Sequence, residues 1–574
     1  MPTSVEKEEL CGFGNCRPPF LQRFASKKPY IIIYGCLGII QSMMGTYLSS
    51  MISTLERRFG IKSKESAYLM SGNEIFQILF LFIMPLIIKV KRRPLWMALS
   101  LCCTGIGCIM MGLPYLISEQ EYLEDLNMDI QIPNMNSTQT NDVGKGMCGS
   151  DDHPSSLEKL CDEEGNRKVD WMGLSLIFFG IFLTGVGNCF YYTFGLTYLD
   201  DNMSHERAPI WLALIFVFKL FGPGFGYMLA GTCLKIYDIP GKAPDGIDEK
   251  DPRWIGAWWL GPPIIGLLII LVSLPLTLFP QRLPKENTDS AIEKQKKIEA
   301  VPTPNKEGFK AAMTRLLKNK LFMYNWVSNF FYVFAFKGFG TFMQKYIEYQ
   351  FRITASKASY FGGVSVLTSA IGLLTSGVIL SKCKFSARLI TGWNVVIFGL
   401  ILGWLLLFGS IGCPTTDVYG EKTENGININ GQCNSNCGCP TSRPEPICSK
   451  DGVTNFYSPC VAGCTGPTKF RFDYKKNKNI TIYTGCGCAV DAWEGNWQNQ
   501  PWEMAGELSD KKWDVEDYIH RDEAIKGWCE VDCGFAWTLF MVCGLLTGIF
   551  VSTGRVGNLL VAFRYVEKIL SLLL

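Results

Sequence analysis

Three ionisable side chains, Glu74, Lys219 and Lys337, stand inside long apolar runs of this 574-residue sequence. Lys345 and Arg555 lie near the ends of two such runs. A charge inside a membrane is costly, so each of these residues is a candidate functional group. One acid against several bases leaves an excess of positive charge, which attracts an anion strongly where the dielectric constant is low. The pattern therefore predicts an interior that binds anions.

Each of these residues also has a structural interpretation. Lys219 could pair with Glu74 in a buried ion pair, and Lys345 could extend its ammonium towards the lipid headgroups. Lys337 and Lys345 are eight residues apart, which is about 80° around a helix, so both could face one cavity. Glu74 could instead hold bicarbonate or belong to a proton-linked network. The residue types alone leave these alternatives open.

A second group with ligand-binding chemistry lies at 251–261, where an acidic loop meets an apolar run. Tryptophan suits a membrane–water boundary, so Trp254, Trp258 and Trp259 could be anchors. Alternatively, their rings stack on an aryl or steroid substrate while Arg253 attracts its sulfate or carboxylate. Because Trp258 and Trp259 are adjacent, about 100° apart on a helix, we expect one to line a cavity and the other to pack or meet lipid.

Ten apolar runs of about twenty residues or more must position these groups, and each is long enough to cross a bilayer as a helix. A soluble protein has no use for ten such runs, so the sequence predicts an all-α polytopic membrane protein. The runs lie at 30–52, 67–88, 95–115, 171–195, 209–232, 256–279, 322–345, 360–381, 389–411 and 534–555.

Basic residues predict that the N-terminus is cytoplasmic. Residues 1–29 are polar and contain no cleavable signal peptide. The loops after the second and eighth runs are basic, and 280–320 holds ten Lys or Arg against five Asp or Glu. Short basic loops favour the cytoplasm, and these three alternate correctly. The segment from Glu56 to Lys64 is also basic, yet this topology places it outside.

Cysteines predict a disulfide-rich extracellular module. Eleven of the 23 cysteines lie between Cys413 and Cys533, and Cys148 and Cys161 share the 116–170 loop. Such density is typical of disulfides in an oxidising compartment, and the odd number leaves one partner unassigned. A zinc site at Cys437-Gly-Cys439 and Cys486-Gly-Cys488 is the weaker interpretation, because C-x-C is not the usual zinc spacing. The disulfide candidates are Cys148, Cys161, Cys413, Cys433, Cys437, Cys439, Cys448, Cys460, Cys464, Cys486, Cys488, Cys529 and Cys533.

The same two loops carry the sequons of Asn136 and Asn479, which predicts glycosylation at both positions. Enzyme chemistry is not indicated, because the three histidines lie in loops and no nucleotide-binding, metal-binding or catalytic pattern stands out. We therefore expect a protein that is not an enzyme, with the lipid bilayer around it and without a cofactor or a nucleic-acid partner. The absence of a nucleotide-binding motif excludes ATP-driven pumping by this chain alone.

Six runs, a basic loop and further runs are the layout of a two-halved carrier, with a substrate site near the bilayer midplane between the halves. The predicted divisions are a cytoplasmic tail (1–29), an N-terminal six-helix half (30–279), a cytoplasmic central loop (280–320), spans seven to nine (321–411), a Cys-rich extracellular loop (412–533) and the tenth span with the C-terminus (534–574).

Several segments in order resemble the organic anion transporting polypeptide family of the major facilitator superfamily. The signature is Asp251-Pro-Arg-Trp-Ile-Gly-Ala-Trp-Trp-Leu-Gly261, and the others are 52–59, 195–201, 222–226, 279–284 and 344–351. The six cysteines around 446–460 are similar to a Kazal-type module that this family carries between its ninth and tenth spans. The resemblance implies a major facilitator-type two-halved helix bundle with a Kazal-like extracellular module.

The resemblance implies sodium-independent uptake or exchange of bulky amphipathic organic anions across the plasma membrane by alternating access. Lys345 matches a family position implicated in substrate interaction. Departures also occur: Pro262-Pro263 follow the signature, and Tyr115 stands where many members have histidine. The family has twelve spans and the sequence shows ten, so the alternative is a truncated, non-transporting surface protein that binds or regulates a partner. A carrier of neutral or cationic lipophiles is a further alternative.

Overall fold

The computed structural model describes most of the ten apolar runs and the Cys-rich module. The described residues are 11–12, 18–24, 26–87, 92–130, 147–148, 169–202, 208–241, 249, 254–281, 283, 314, 317–318, 320–383, 386–413, 418–423, 426–429, 431–439, 445–449, 452–473, 478–490, 522–529 and 531–571. Arg253, Asn136 and Cys161 lie outside these residues, so their predicted roles stay predictions.

Long helices dominate the described chain, because apolar runs bury or shield their own backbone hydrogen bonds only as helices in lipid. They are α1 (Lys27–Phe59), α2 (Ser63–Ile87), α3 (Arg93–Ile130), α4 (Trp171–Phe190), α5 (Leu196–Asn202), α6 (Ala208–Lys235), α7 (Gly261–Ser273), α8 (Lys320–Phe351), α9 (Ala355–Cys383), α10 (Ala387–Ser410) and α11 (Gly534–Ser571). A π-helical turn, Tyr191–Gly195, joins α4 to α5.

Within the described residues, eight helical segments are long and apolar enough to cross a membrane. The predicted fifth and seventh runs are also helical, as α6 and α8, although these two are not among the eight. The sixth run differs from the prediction at its start. Residues 256–260 are not helical, and α7 begins at Gly261 with Pro262 in its first turn. Proline suits that position because its missing N–H is not needed there.

The helices form two groups, each with its own apolar core. In the first group α1 packs along α6, and α3 packs against both α4 and α7. Its fully buried side chains include Tyr34, Tyr47 and Ile265. In the second group α11 packs against α9 and α10, around Phe351 and Phe540. The groups meet where α6 packs against α9 and where α8 approaches α1.

The Cys-rich segment between α10 and α11 folds around a small antiparallel sheet. Strands β3 (Ile447–Ser449), β4 (Asn455–Phe456), β5 (Lys469–Asp473), β6 (Lys478–Tyr483) and β7 (Ala524–Lys526) lie in the order β4-β3-β7-β6-β5. Strands β1 (Glu421–Thr423) and β2 (Gly426–Asn428) form a separate hairpin. The core contains the buried Ile447, Phe456 and Val461. Assignment of this module to the Kazal type stays a prediction.

Six disulfides hold this module, which confirms the prediction of a disulfide-rich loop. They are Cys148–Cys437, Cys413–Cys533, Cys433–Cys488, Cys439–Cys460, Cys448–Cys529 and Cys464–Cys486. Both C-x-C pairs are consumed by these bonds, so their sulfurs are not free thiolates for zinc. The partner of the eleventh cysteine is Cys148, from the loop between α3 and α4.

Two residues between α3 and α4, Met147 and Cys148, are also packed into the module. Met147 is almost fully buried in the module core, and the Cys148 amide donates to the Cys464 carbonyl at 3.0 Å. Asn479 lies in β6, opposite Phe472 of β5, and its glycosylation stays a prediction. The module therefore includes residues from both helical groups.

Candidate functional site

One face of α8 carries the charges that reach the first helical group. Lys337 Nζ lies 2.7 Å from Glu74 Oε1 of α2, and both side chains are largely exposed, at 63% and 40%. Lys345 and Glu348 are two and three turns further along α8. Lys337 and Lys345 both reach acids of the first group, and the cavity that they were expected to share stays a prediction.

Two further ion pairs lie at the end of α1. Lys345 pairs with Glu56, and its Nζ also donates to Ser63 Oγ at 2.7 Å. Arg57 pairs with Glu348. Lys345 is only 19% exposed and Glu348 only 11% exposed, so these two pairs are more strongly desolvated than the pair of Lys337 and Glu74. Lys345 is thus directed to Glu56 and Ser63, and its position relative to the headgroups stays a prediction.

Local sequence explains why α1 presents these charges. The helix ends at Phe59, and Gly60 follows with φ of 68°, the left-handed conformation that glycine adopts without strain. Arg57 and Arg58 occupy the last turn, where the helix dipole favours positive charge. The two arginines diverge: Arg57 meets Glu348 of α8, and Arg58 Nε lies 3.4 Å from Asp238 Oδ2, after α6.

The tryptophan-rich segment forms a cap over the same end of the first group. Tyr47 of α1 donates its hydroxyl to the Trp258 carbonyl at 2.9 Å, and Arg57 donates to the Trp254 carbonyl at 3.3 Å. The Trp254 indole donates to the Leu234 carbonyl of α6 at 2.9 Å. These bonds tie the segment to α1 and α6, so the cap sets the position of Arg57.

Both adjacent indoles pack against the first group. Trp258 is 3% exposed and meets the Phe59 ring edge-on at 5.2 Å. Trp259 stacks on Tyr115 at 4.1 Å and donates to the Asp238 carbonyl at 3.0 Å. The two side chains diverge, as their adjacency requires, and Trp258 borders a small apolar cavity with Tyr47 and Met111. A substrate role for either residue stays a prediction.

Lys219 does not pair with Glu74, which corrects one alternative drawn from the sequence. Lys219 Nζ donates to the Tyr192 hydroxyl, and it lies 3.9 Å from the centre of that ring. Glu74 pairs with Lys337 instead. The two interior lysines therefore have different surroundings: Lys337 has a carboxylate, and Lys219 has an aromatic ring with a neutral hydroxyl.

The sequence did not single out Glu56, Arg57, Glu348 and Tyr192 as site residues. Glu56 and Arg57 belong to the one basic segment that contradicts the charge rule for outside loops, and that contradiction was the available signal. Glu348 is three residues after Lys345, the spacing of neighbours on one helix face. Tyr192 carried no signal of this kind.

The arrangement can hold the two helical groups together by charge and can release them when these pairs open. No group of three or more His, Cys, Asp or Glu that could bind a metal occurs in the described part of the chain. Long apolar helices, paired charges between two groups and a disulfide-rich module define the class: a polytopic helical membrane protein.

The sequence model of the Organic Anion Transporter Polypeptide (OATP) family matches residues 29–571. The chain therefore belongs to this family, and the resemblance seen in the sequence is confirmed. The match begins at Pro29, the third residue of α1, and ends at Ser571, the last residue of α11.

Three relatives illustrate the similarity. Solute carrier organic anion transporter family member 74D of Drosophila melanogaster is 27% identical over 98% of this chain and 67% of the relative. Member 4C1 of Homo sapiens is 28% identical over 84% and 64%, and member 2B1 of Rattus norvegicus is 26% identical over 81% and 73%. The chain spans about two-thirds of the length of these curated relatives.

Among solved structures, a bacterial homologue of the human lysosomal transporter Spinster, in an inward-facing and unoccupied conformation, is 13% identical to this chain. The comparison has a TM-score of 0.43 and covers 66% of this chain and 70% of that protein.

Proposed function

We propose that this protein moves bulky amphipathic organic anions across the plasma membrane, by sodium-independent uptake or exchange. The observation that carries the proposal is the family match over residues 29–571. The relatives named above are all called organic anion transporters. The paired charges between the helical groups supply a feature that a carrier of this kind needs.

Alternating access requires contacts between the halves that form at one face and break when that face opens. The pairs of Lys345 with Glu56 and of Arg57 with Glu348 join α8 to α1 in this way. Both lie at the end of α1 that a cytoplasmic N-terminus places outside, although this end is basic. We propose that they close the external face and that the major facilitator mode of rocking opens it.

An anionic substrate of this size needs positive charge and apolar surface together. Lys345 and Lys337 supply charge on α8, and either can turn to a substrate when its carboxylate partner moves away. Glu74 is the acid that Lys337 would leave, and a counter-anion such as bicarbonate could then take its place beside the lysine. We also propose a substrate-binding role for Arg253, and for Trp258 and Trp259 because their cap covers the same end of the first group.

Uptake of a labelled sulfated steroid tests the proposal, in cells that express the chain and with uptake normalised to the amount at the surface. We expect saturable uptake that persists when sodium is replaced by choline. Surface display without saturable uptake would contradict transport and would favour a protein that only binds partners. Equal uptake of the neutral parent steroid would contradict the preference for anions.

A further inference from the structure

We propose that Lys219, together with Tyr192, binds the anionic group of the substrate at the middle of the membrane. This inference rests on the proposed function and names the site of that function. It starts from a difference among the basic side chains of the described helices. Arg57, Lys337 and Lys345 each pair with a carboxylate. Within the described residues, no carboxylate forms an ion pair with Lys219.

Lys219 lies at the depth where carriers of this layout bind substrate. Its backbone carbonyl is 3.1 Å from the hydroxyl of Ser42, which stands near the midpoint of α1. Pro223, one turn later in α6, has no N–H to donate to that carbonyl, and Ser42 supplies the donor instead. The Lys219 backbone is therefore fixed against α1, while its side chain is partly exposed.

Two aromatic rings lie beside the ammonium group of Lys219. Lys219 Nζ lies 3.9 Å from the Tyr192 ring centre and 5.4 Å from that of Tyr191. Cation–π contacts stabilise the charged form without neutralising it. A carboxylate partner would neutralise it, as it does for Lys337. The positive charge therefore remains available to a ligand.

Reciprocal hydrogen bonds with Tyr34 hold Tyr191, the neighbour of Tyr192, in place. Tyr191 donates to the Tyr34 carbonyl at 3.1 Å, Tyr34 donates back to the Tyr191 carbonyl at 3.1 Å, and the two rings stack at 4.4 Å. Both tyrosines are buried, whereas Tyr192 is partly exposed. Tyr191 and Tyr192 are the first two residues of the π-helical turn Tyr191–Gly195, a distortion that is frequent at functional sites.

A row of polar side chains continues from Tyr192 along α4. Asn188 precedes it by one turn and donates to Asn73 Oδ1 of α2 at 3.1 Å, and Thr184 precedes it by two turns. Polar groups in lipid-embedded helices favour a bundle interior or a water-filled space. Lys219 thus provides the charge, and Tyr192 provides a hydroxyl and a ring. The fitting ligand is a sulfate or carboxylate attached to an apolar ring system.

The test measures binding and uptake separately. Wild type, Lys219→Met, Lys219→Arg and Tyr192→Phe are purified in nanodiscs, and the Kd for a labelled sulfated steroid is measured. We expect Lys219→Met to raise Kd at least about tenfold, because a charge-assisted hydrogen bond is lost. Lys219→Arg should stay within about threefold of wild type, since it retains the charge. The affinity for the neutral parent steroid, measured by displacement of the label, should be the same in Lys219→Met as in wild type.

Lys235 provides the matched control on the same helix. It lies over the Tyr360 ring at 5.0 Å, at the end of α6. Lys235→Met removes a lysine and its cation–π contact but should leave Kd unchanged. The melting temperature separates a structural role from a binding role. A structural Lys219 would lose stability on mutation to methionine, whereas a binding residue held without a counter-charge should keep or gain it.

Each outcome decides one point. An unchanged Kd for folded Lys219→Met, or a wild type that does not bind the sulfated steroid, would overturn this inference. Equal losses of binding in Lys219→Met and Tyr192→Phe, with a lower melting temperature in both, would assign Lys219 a structural role only. Binding by wild type without uptake in cells would overturn the proposed transport and leave the binding site in place.

Discussion

Only a few side chains form the ion pairs between α1 and α8, yet these pairs join the two helical groups. Exposed pairs contribute at most about 1 kcal/mol each, because water and salt screen them. The pair of Arg57 and Glu348 is 24% and 11% exposed. Removal of one partner therefore leaves a partly desolvated charge, which costs more than the pair itself contributes. Opening of this end of the molecule should respond strongly to single charge changes.

Charge reversal tests these pairs at the residue scale. Arg57→Glu places two acids together and should lower uptake at least about fivefold, because like charges hold the end of α1 away from α8. Glu348→Arg should have a similar effect. The double variant Arg57→Glu with Glu348→Arg restores opposite charges and should recover most of the uptake. Uptake per molecule at the surface is the measurement.

Lys469→Glu is the control for this experiment, since Lys469 Nζ pairs with Glu523 at 3.0 Å on the exposed face of the module. Its reversal should leave uptake unchanged. If the double variant at 57 and 348 were as poor as either single variant at equal surface amounts, the pair would not act as a closing contact.

The sequence predicted Lys337 and Lys345 from their depth in apolar runs, because hydropathy is a local property. It could not predict their partners. Glu56 and Lys345 are 289 residues apart, and only the packing of the two helical groups brings them together. Under the predicted topology the basic end of α1 departs from the charge rule, and two of its basic residues, Arg57 and Arg58, form ion pairs with acids.

The seam between α1 and α6 shows how helices meet closely in this molecule. Ser42 and Thr46 of α1 face Gly222 and Gly226 of α6. The Thr46 hydroxyl donates to the Pro223 carbonyl at 3.2 Å. Small residues let helix backbones approach, and the Ser42 hydroxyl satisfies the Lys219 carbonyl that Pro223 leaves without its helical donor. The seam thus fixes α6, and with it Lys219.

Two glycines of α6 make a matched test of this seam. A Cβ at Gly222 would clash with the Ser42 hydroxyl and the Ile39 carbonyl, whereas a Cβ at Gly224 would lie 3.7 Å from Leu367, in ordinary contact. Gly222→Ala should therefore cost about 1–3 kcal/mol through overpacking. Gly224→Ala should be neutral or slightly stabilising, because alanine favours helices. Melting temperature in detergent is the measurement.

Equal melting temperatures for the two glycine variants would show that α1 and α6 do not pack as closely as described. The α1 residue Gly45 offers a further control, since a Cβ there meets nothing within 4 Å.

The tryptophan cap can be tested as an element. Trp258→Ala should cost about 3–5 kcal/mol, because it empties a buried site beside Phe59. Trp259→Phe keeps a ring on Tyr115 but loses the bond to the Asp238 carbonyl, so its cost should be near 1 kcal/mol. We expect surface display to fall much further for Trp258→Ala. A stable Trp258→Ala with a raised KM would favour a substrate role instead.

The sequence predicted the positions of the helices better than any other part of the fold. Every predicted apolar run lies largely in a helix, because length and hydropathy are readable from one sequence. The tryptophan segment was expected to be helical, and residues 256–260 are not. Its shape depends on hydrogen bonds from Tyr47 and to Leu234, which come from other helices and leave no local pattern.

At the scale of the whole molecule, the Cys-rich module connects the two helical groups. Cys413–Cys533 fastens it where α10 ends and α11 begins, and Cys148–Cys437 attaches the loop between α3 and α4. The odd number of cysteines in the module left one partner unassigned. The sequence could not say whether Cys148 or another cysteine served, because pairing depends on which loops meet in space.

The Cys148–Cys437 bond predicts a specific result when the chain is cleaved between α3 and α4. A protease site placed between residues 149 and 160 would separate a fragment with α1–α3 from the rest of the chain. Cys148 stays on the first fragment and Cys437 on the second, so the fragments should run as one band without reductant and as two bands with it. A bond from Cys148 to Cys161 would bridge the same cut, so the experiment is performed in a Cys161→Ser background. Cys148→Ser should release the fragments without reductant, and Cys102→Ser should not, because Cys102 is a free cysteine of α3. Two bands without reductant from the cleaved protein that retains Cys148 would contradict the Cys148–Cys437 bond. The module would then be attached to the second helical group alone, and the halves would move without a covalent link between them here.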